Sequence, residues 1–293
     1  MRKYGHRNNH TEMNETLIYR RRDMLGSDHG DHKWEEVARI TTIGTTIISL
    51  PTCSELGFFI VGGGGSGHGD FNSSRHTGNG GNGGCVNSFV VPFSVTSCSV
   101  TVGKGGAYGP SQYGSNNGSD SYVSYNGTTY ASIGGYGGSN TPNISNIKQE
   151  NSGIGGCARW CGYSSIDMYN WCSTHTSLEI YPDQTVTWGN YGSMGEDGLP
   201  NPFDKSDTNL YGSGGGGSQN AYDIPSGYCV GPAILGGTNG GGDGGYGSNN
   251  AITNKGQDGS FYGAGGGGGS FSSNHTYSQG GAGYQGIVII YKR

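Results

Sequence analysis

The chain has 293 residues, of which 62 are glycine, and it carries a formal net charge of −5. A negative balance with only 13 % charged residues argues against nucleic acid or an anionic membrane surface as the main partner. No apolar run approaches the ~20 residues of a membrane helix, and the N-terminus leads into no apolar segment typical of a secretory signal. We therefore expect neither membrane insertion nor nucleic-acid binding.

Residues 1–33 differ in composition from everything that follows. They contain four of the eight histidines and the run Arg20-Arg21-Arg22, with few apolar residues. Such a segment cannot bury a core of its own, so it is either a flexible tail or an arm that orders against a partner. We predict an N-terminal attachment arm at residues 1–33, followed by a glycine-rich domain at residues 34–293.

Short β-prone runs follow from residue 34. Asn126-Gly127 separates two of them, which is the pattern of a type I′ hairpin. The last run, Gly286–Tyr291, is apolar on both faces and predicts a strand in the middle of a sheet. The first run mixes apolar and charged residues. In chain order the runs are Trp34–Ile40, Thr45–Leu50, Glu55–Val61, Val86–Val91, Val95–Val102, Tyr122–Tyr125, Thr128–Ile133 and Gly286–Tyr291.

The glycines occur in bursts between these runs. Residues 79–84 and 241–247 keep glycine on a period of three, the repeat of a polyproline-II helix. Polyproline-II helices packed side by side can hydrogen-bond backbone to backbone, and they need glycine where two chains approach closely. The alternative is that the bursts are flexible hairpin loops. The glycines predicted to form the scaffold are Gly62, Gly63, Gly64, Gly65, Gly241, Gly244, Gly245 and Gly247.

Residues 141–211 form a region where glycine thins out and three of the four tryptophans appear. We interpret it as an aromatic, cysteine-bearing insert. Its rings are either a small core of the insert or a recognition surface, since Trp and Tyr dominate such surfaces and flat rings also stack on sugars. The candidate receptor-binding residues are Trp160, Tyr163, Tyr169, Trp171, Trp188 and Tyr191.

No pattern of catalytic residues stands out. Gly62–Gly67 follows an apolar strand as a phosphate-binding loop would, but it lacks the Lys-Ser/Thr ending and the helix that must follow. We therefore expect no enzymatic activity and no cofactor. The nearest approach to a metal site is a weak zinc candidate, against which disulfides and, more strongly, buried thiols in a reducing cytosol are alternatives. Its four possible ligands are Cys157, Cys161, Cys172 and His175.

The two ends of the glycine-rich domain resemble a known family. Phe59–Gly67 and Gly283–Tyr291 look like the opening VVGGGG strand and the closing GIVIIRY strand in the glycine-rich domains of bacteriophage tail-fibre and adhesin proteins. The pieces between them, such as Val100–Gly106 and Ala131–Gly138, also keep the family's order. A related module occurs in the extracellular region of some animal receptor tyrosine kinases, so the fold alone does not fix the function.

The resemblance implies an all-β fold with essentially no α-helix. It implies an antiparallel, jelly-roll-like β-sandwich that carries an inserted bundle of glycine-rich polyproline-II helices, with distal loops that bind a host receptor. We therefore predict a phage virion component, of a tail fibre or spike, that acts as a host-receptor-binding adhesin. The alternative is a purely structural fibre or decoration protein. Ice binding by a flat polyproline-II face is disfavoured, because Tyr, Asp, Asn and His interrupt the bursts.

Three kinds of partner follow from this hypothesis. Residues 1–33 are expected to bind other virion proteins, and the insert is expected to bind a host cell-surface glycan or protein. Further copies of the chain are expected in a homotrimer. The protein would be made in the host cytoplasm, leave by lysis as part of the virion and act outside the cell.

Overall fold

The computed structural model describes residues 33–69, 78–108, 115–138, 151–155, 195–218, 235–245, 255–270 and 279–293. These residues form β-strands and extended segments, and no α-helix occurs among them. Within this part of the chain, the all-β prediction is confirmed. No helix long and apolar enough to cross a membrane is present in the described ranges.

The strands form two four-stranded sheets and one short hairpin, all with antiparallel pairing. Sheet A has the order β1-β10-β3-β4, sheet B has the order β2-β5-β6-β7, and β8 pairs with β9. The strands are β1 Glu35–Ile40, β2 Gly44–Ser49, β3 Glu55–Val61, β4 Val86–Pro92, β5 Ser97–Val102, β6 Ser121–Tyr125, β7 Thr128–Ser132, β8 Leu199–Pro200, β9 Leu210–Tyr211 and β10 Ile287–Lys292.

Strand β10 lies between β1 and β3, as its apolar pattern predicts. All its residues from Ile287 to Tyr291 are buried, because both faces of sheet A are covered. The Asn126-Gly127 hairpin is also confirmed. Both turn residues have positive φ, 47° and 74°, as a type I′ turn requires.

The main core lies between the two sheets. Phe58, Ile60 and Val288 of sheet A pack in one cluster with Val100 and Val123 of sheet B. Each of these side chains is fully buried, which contributes roughly 1.5–3 kcal/mol per large apolar side chain. The two sheets are therefore a β-sandwich.

A second core covers the other face of sheet A. Phe203 and Tyr211, from the segment around β8 and β9, pack on Phe59 and Tyr291. The Tyr291 hydroxyl accepts a hydrogen bond of 2.7 Å from Asn201 Nδ2. Residues 195–211 belong to the region interpreted above as an insert, and they complete the burial of sheet A.

The glycine-rich segment 62–68 shows a strict three-residue repeat in its hydrogen bonds. Successive N–H groups donate in turn to three different neighbouring segments. Every third residue donates to the same segment, and its acceptor lies three residues away from the previous acceptor on that segment. The bonds measure 2.8 to 3.0 Å and join Gly62 to Cys85, Gly65 to Asn82, His68 to Asn79, Gly63 to Ser119, Ser66 to Asn116, Gly64 to Tyr284 and Gly67 to Gly281. Three residues per turn without internal hydrogen bonds is the geometry of a polyproline-II helix.

Six segments surround this helix. Three accept its hydrogen bonds, and three others donate to its carbonyls: Gly106 to Gly64, Gly135 and Gly138 to Gly63 and Ser66, and Gly266 and Gly269 to Gly65 and His68. Because neighbours stand on every side, a Cβ on any glycine of this helix, Gly62–Gly65 or Gly67, would overlap a neighbouring backbone. We call the set of segments packed in this way the bundle; it comprises residues 62–69, 78–84, 103–108, 115–120, 133–138, 151–155, 195–198, 212–218, 241–245, 263–270 and 279–286.

Three of the seven cysteines lie in the described ranges. Cys85 and Cys98 are buried and Cys53 is half-buried. Burial raises the pKa of the Cys98 thiol from 9.0 to about 11, because the core disfavours the thiolate. These thiols act as small apolar side chains.

We expect the Gly64→Ala substitution to destabilise the fold by at least about 3 kcal/mol. The added Cβ would overlap the carbonyl of Ala264, which belongs to a neighbouring backbone and cannot rotate away. The matched control is Gly127→Ala, whose Cβ has nothing within 4 Å and whose positive φ costs only about 1 kcal/mol. Urea unfolding of both variants measures the difference; equal losses would mean that the bundle is loose.

The Cys98→Ala variant tests the buried thiol through pH. A folded-state pKa above the unfolded value stabilises the protein fully below pH 9, and that contribution is lost as pH rises through about 11. The stability advantage of wild type over Cys98→Ala should therefore shrink between pH 9 and 11. Reversible urea unfolding under reducing conditions measures it, with Cys53→Ala as a control nearer the surface. A constant difference across this range would contradict the burial of the thiol.

Candidate functional site

The residues proposed for recognition lie outside the described ranges. This holds for all six aromatic residues, Trp160, Tyr163, Tyr169, Trp171, Trp188 and Tyr191. It also holds for residues 1–32 and for the zinc candidates Cys157, Cys161, Cys172 and His175. Among the residues that the structure does describe, no group of three or more His, Cys, Asp or Glu side chains is placed to hold a metal ion.

The bundle has an end that faces away from the sandwich, which we call the far end. Helix 62–69 starts directly after β3, so His68 lies at this end. Backbone hydrogen bonds join it there to Gly269 and Asn79, and Gly78 accepts from Ser218.

Two short segments of the bundle flank residues 156–194, which contain the six candidate aromatic residues. The flanks are held to each other: Glu196 N–H donates to the Ile154 carbonyl at 2.9 Å, and Ile154 N–H donates to Glu196 Oε2 at 3.2 Å. Gly155 N–H also donates to the side chain of Asn82, at 2.9 Å. We call this double contact between Ile154 and Glu196 the clamp.

The scaffold glycines of the bundle are in backbone contact. A Cβ on Gly62, Gly63, Gly64 or Gly65 would overlap a carbonyl of a neighbouring segment, and the same is true of Gly241 and Gly244. Gly245 N–H donates to the Gly268 carbonyl at 2.8 Å. Gly247 lies outside the described residues. Since none of these six Cβ positions is open, the missing side chain is what permits the packing.

A row of aromatic rings crosses the protein from the core to the surface, and the sequence did not reveal it. We call Tyr211, Phe261, Tyr262 and Tyr284 the aromatic row. Consecutive ring centroids lie 5.1, 5.2 and 5.8 Å apart, and Tyr284 at the outer end is 38 % exposed. The rings come from three separate parts of the chain, at residues 211, 261–262 and 284, so no local pattern signals the whole row.

Tyr211, at the inner end of the aromatic row, is buried, and its hydroxyl is the polar group there. The Tyr211 hydroxyl donates to Asp207 Oδ2 at 2.7 Å. Burial and this hydrogen bond both raise the pKa of Tyr211, with burial the larger cause. Tyr211 therefore stays neutral and acts as a fixed anchor for the rings outside it.

Exposed groups at the far end supply both a cation and a ring. Lys255 Nζ lies 5.6 Å from the centroid of the Tyr108 ring and 4.0 Å from Asp258 Oδ1. Tyr108 is 45 % exposed. Rings and polar groups arranged in this way are suited to stacking and hydrogen bonding with a bound partner.

Comparison with known proteins agrees with the glycine pattern. No curated protein matches the chain. The family model of a glycine-rich domain matches residues 41–293, which covers the bundle and every strand except β1. The chain therefore belongs to the glycine-rich domain family.

Proposed function

We propose that this protein is a phage virion component, of a tail fibre or spike, that binds a host-cell receptor through residues 156–194. The observation that carries the proposal is the clamp. The bundle fixes both flanks of this segment at one place, by hydrogen bonds between Ile154 and Glu196. The resemblance of the segments Phe59–Gly67 and Gly283–Tyr291 to tail-fibre adhesins supports the same assignment.

The bundle suits a protein that presents a recognition segment. Its central helix is bonded on all sides, so the flanks of residues 156–194 rest on a backbone that cannot easily deform. Binding then orders less of the protein, which lowers the entropic cost of association. The six candidate aromatic residues would supply large contact areas with few rotatable bonds.

The proposed receptor is a glycan or protein of the host cell surface. Residues 1–33 would attach the protein to other virion components, and the protein would act outside the cell as part of the particle. The aromatic row is a second candidate surface, because Tyr284 offers an exposed ring outside residues 156–194. A purely structural virion protein would use neither surface to bind cells.

Cell binding and stability measured on the same variants separate these possibilities. We expect Trp171→Ala to keep the melting temperature and to weaken binding to host cells about tenfold, within the ~1–3 kcal/mol scale of an aromatic hot spot. Tyr284→Ala tests the aromatic row, and Thr129→Ala, on the exposed side of β7, is the control. Loss of stability with binding retained would assign Trp171 to a core. If the wild-type protein does not bind host cells, the result supports the alternative of a purely structural virion protein.

The clamp generates a second test. Glu196→Ala removes the acceptor of Ile154 N–H and should cost about 1 kcal/mol of stability. It should also weaken cell binding several-fold, because the flanks of residues 156–194 lose one of their mutual bonds. Asp120→Ala is the matched control: Asp120 Oδ1 accepts from Gly134 N–H at 2.8 Å elsewhere in the bundle. Equal binding losses in both variants would trace the effect to general stability and contradict a special role of the clamp.

A further inference from the structure

Strand β2 has an open edge that carries a regular set of backbone groups. It pairs only with β5 among the described strands, and Leu50 N–H donates to the Thr96 carbonyl at the end of that ladder. Residues of an antiparallel strand point their backbone groups alternately toward and away from the partner. Leu50 and Ile48 therefore bond toward β5, and the N–H and C=O groups of Thr45, Ile47 and Ser49 point outward.

The edges of the other strands are protected, and that of β2 is not. Edge strands are usually protected by charges, bulges, proline or covering segments, because bare edges pair with other chains. Strand β1 has a register shift between Glu36 and Ala38 and carries Glu35 and Arg39. Strand β2 has no charge, no proline and no register shift.

The edges of β4 and β7 are covered by hydrogen bonds. On β4, Val86 N–H donates to the Asn151 carbonyl at 2.8 Å, and the strand ends at Pro92. On β7, the Ala131 carbonyl accepts from Asn87 Nδ2 at 3.1 Å, which ties this edge to β4 across the sandwich. The side of the sandwich between β4 and β7 is therefore closed.

The outer face of sheet B beside this edge is uncharged. Cross-strand hydroxyl pairs occupy it, such as Thr45 Oγ1 with Thr101 Oγ1 at 2.8 Å. Ile47 projects from the same face at the edge and is 76 % exposed, and Ile43 just before the strand is 53 % exposed. The outward residues of sheet B, read from its register, are Thr45, Ile47, Ser49, Ser97, Ser99, Thr101, Tyr122, Ser124, Thr129 and Ala131.

We propose that β2 pairs antiparallel with β2 of a second copy of this chain, across a two-fold axis at Ile47. In this register Ile47 faces Ile47 of the second copy, and Thr45 faces Ser49. Each of the three outward residues then donates and accepts backbone hydrogen bonds, and sheet B continues through both copies. This pairing places the apolar side chain of Ile47 against its copy and the hydroxyl side chain of Thr45 against that of Ser49. Neither strand carries a charge, so the strand is complementary to itself.

Charge favours a second copy over the chain's own N-terminal segment as the occupant. The apolar residues Leu17, Ile18 and Tyr19 are followed at once by Arg20-Arg21-Arg22, which would lie against an uncharged face. An isologous two-fold pairing also closes after two copies, because both open edges are then used. The product is a dimer, in contrast to the homotrimer expected from the hypothesis of a tail fibre.

Sedimentation equilibrium of the full chain tests the stoichiometry. We expect a monomer–dimer equilibrium, and we expect Ile47→Lys to raise the dimer dissociation constant at least tenfold, because it places two like charges together at the axis. Its melting temperature at low concentration should match wild type, since the side chain points to solvent. Thr129→Lys, which adds the same charge on the opposite edge strand of sheet B, should dimerise as wild type does.

Amide hydrogen exchange tests the register. Protection of the amides of Thr45, Ile47 and Ser49 should rise with protein concentration, whereas those of Thr46 and Ile48 should be protected at every concentration. A wild-type protein that stays monomeric, or that forms trimers, would overturn the proposal. So would a dimer whose Thr45, Ile47 and Ser49 amides stay unprotected, or protection of these amides that does not depend on concentration, since the latter indicates an intramolecular occupant.

Discussion

The structure depends on hydrogen bonds between backbones that stand too close for side chains. Successive residues of helix 62–68 donate in turn to three neighbouring segments, which come from distant parts of the chain. A net contribution of about 1 kcal/mol per hydrogen bond is modest for any one contact. Repeated along every segment, it offsets the large conformational entropy that glycine loses on ordering. Burying apolar area plays a smaller part here than in the sandwich.

This constraint explains the different roles of the sandwich and the bundle. The sandwich holds an ordinary apolar core, with Phe58, Ile60 and Val288 fully buried. Several strands then run straight into the bundle, as β3 does at Gly62 and β5 does at Gly103. The sandwich therefore fixes the register in which the polyproline-II helices meet, and the bundle transmits that order to its far end.

The sequence alone predicted the features that depend on local patterns. The apolar run at Ile287–Tyr291 predicted a central strand, and Asn126-Gly127 predicted the hairpin, because each signal lies within a few residues. The period of three glycines at 79–84 likewise indicated a polyproline-II helix.

Features made by residues distant in the chain could not be predicted in this way. The six neighbours of helix 62–69, the cover that Phe203 gives to sheet A and the aromatic row each join segments with no common pattern. The clamp is a further example, since nothing in the sequence relates Ile154 to Glu196. The candidate recognition residues lie outside the described ranges, so their role stays a prediction.

The position of β10 has a consequence for how the protein is made. This strand fills the gap between β1 and β3, and Glu35 pairs with Lys292. Sheet A therefore cannot form completely until residues 287–292 have left the ribosome. Strand β1 has no strand to pair with while the bundle segments are synthesised. Folding that relies on such distant pairings is slow, and exposed strands are open to wrong partners in the meantime. The domain therefore cannot complete sheet A until all of its own segments have been synthesised.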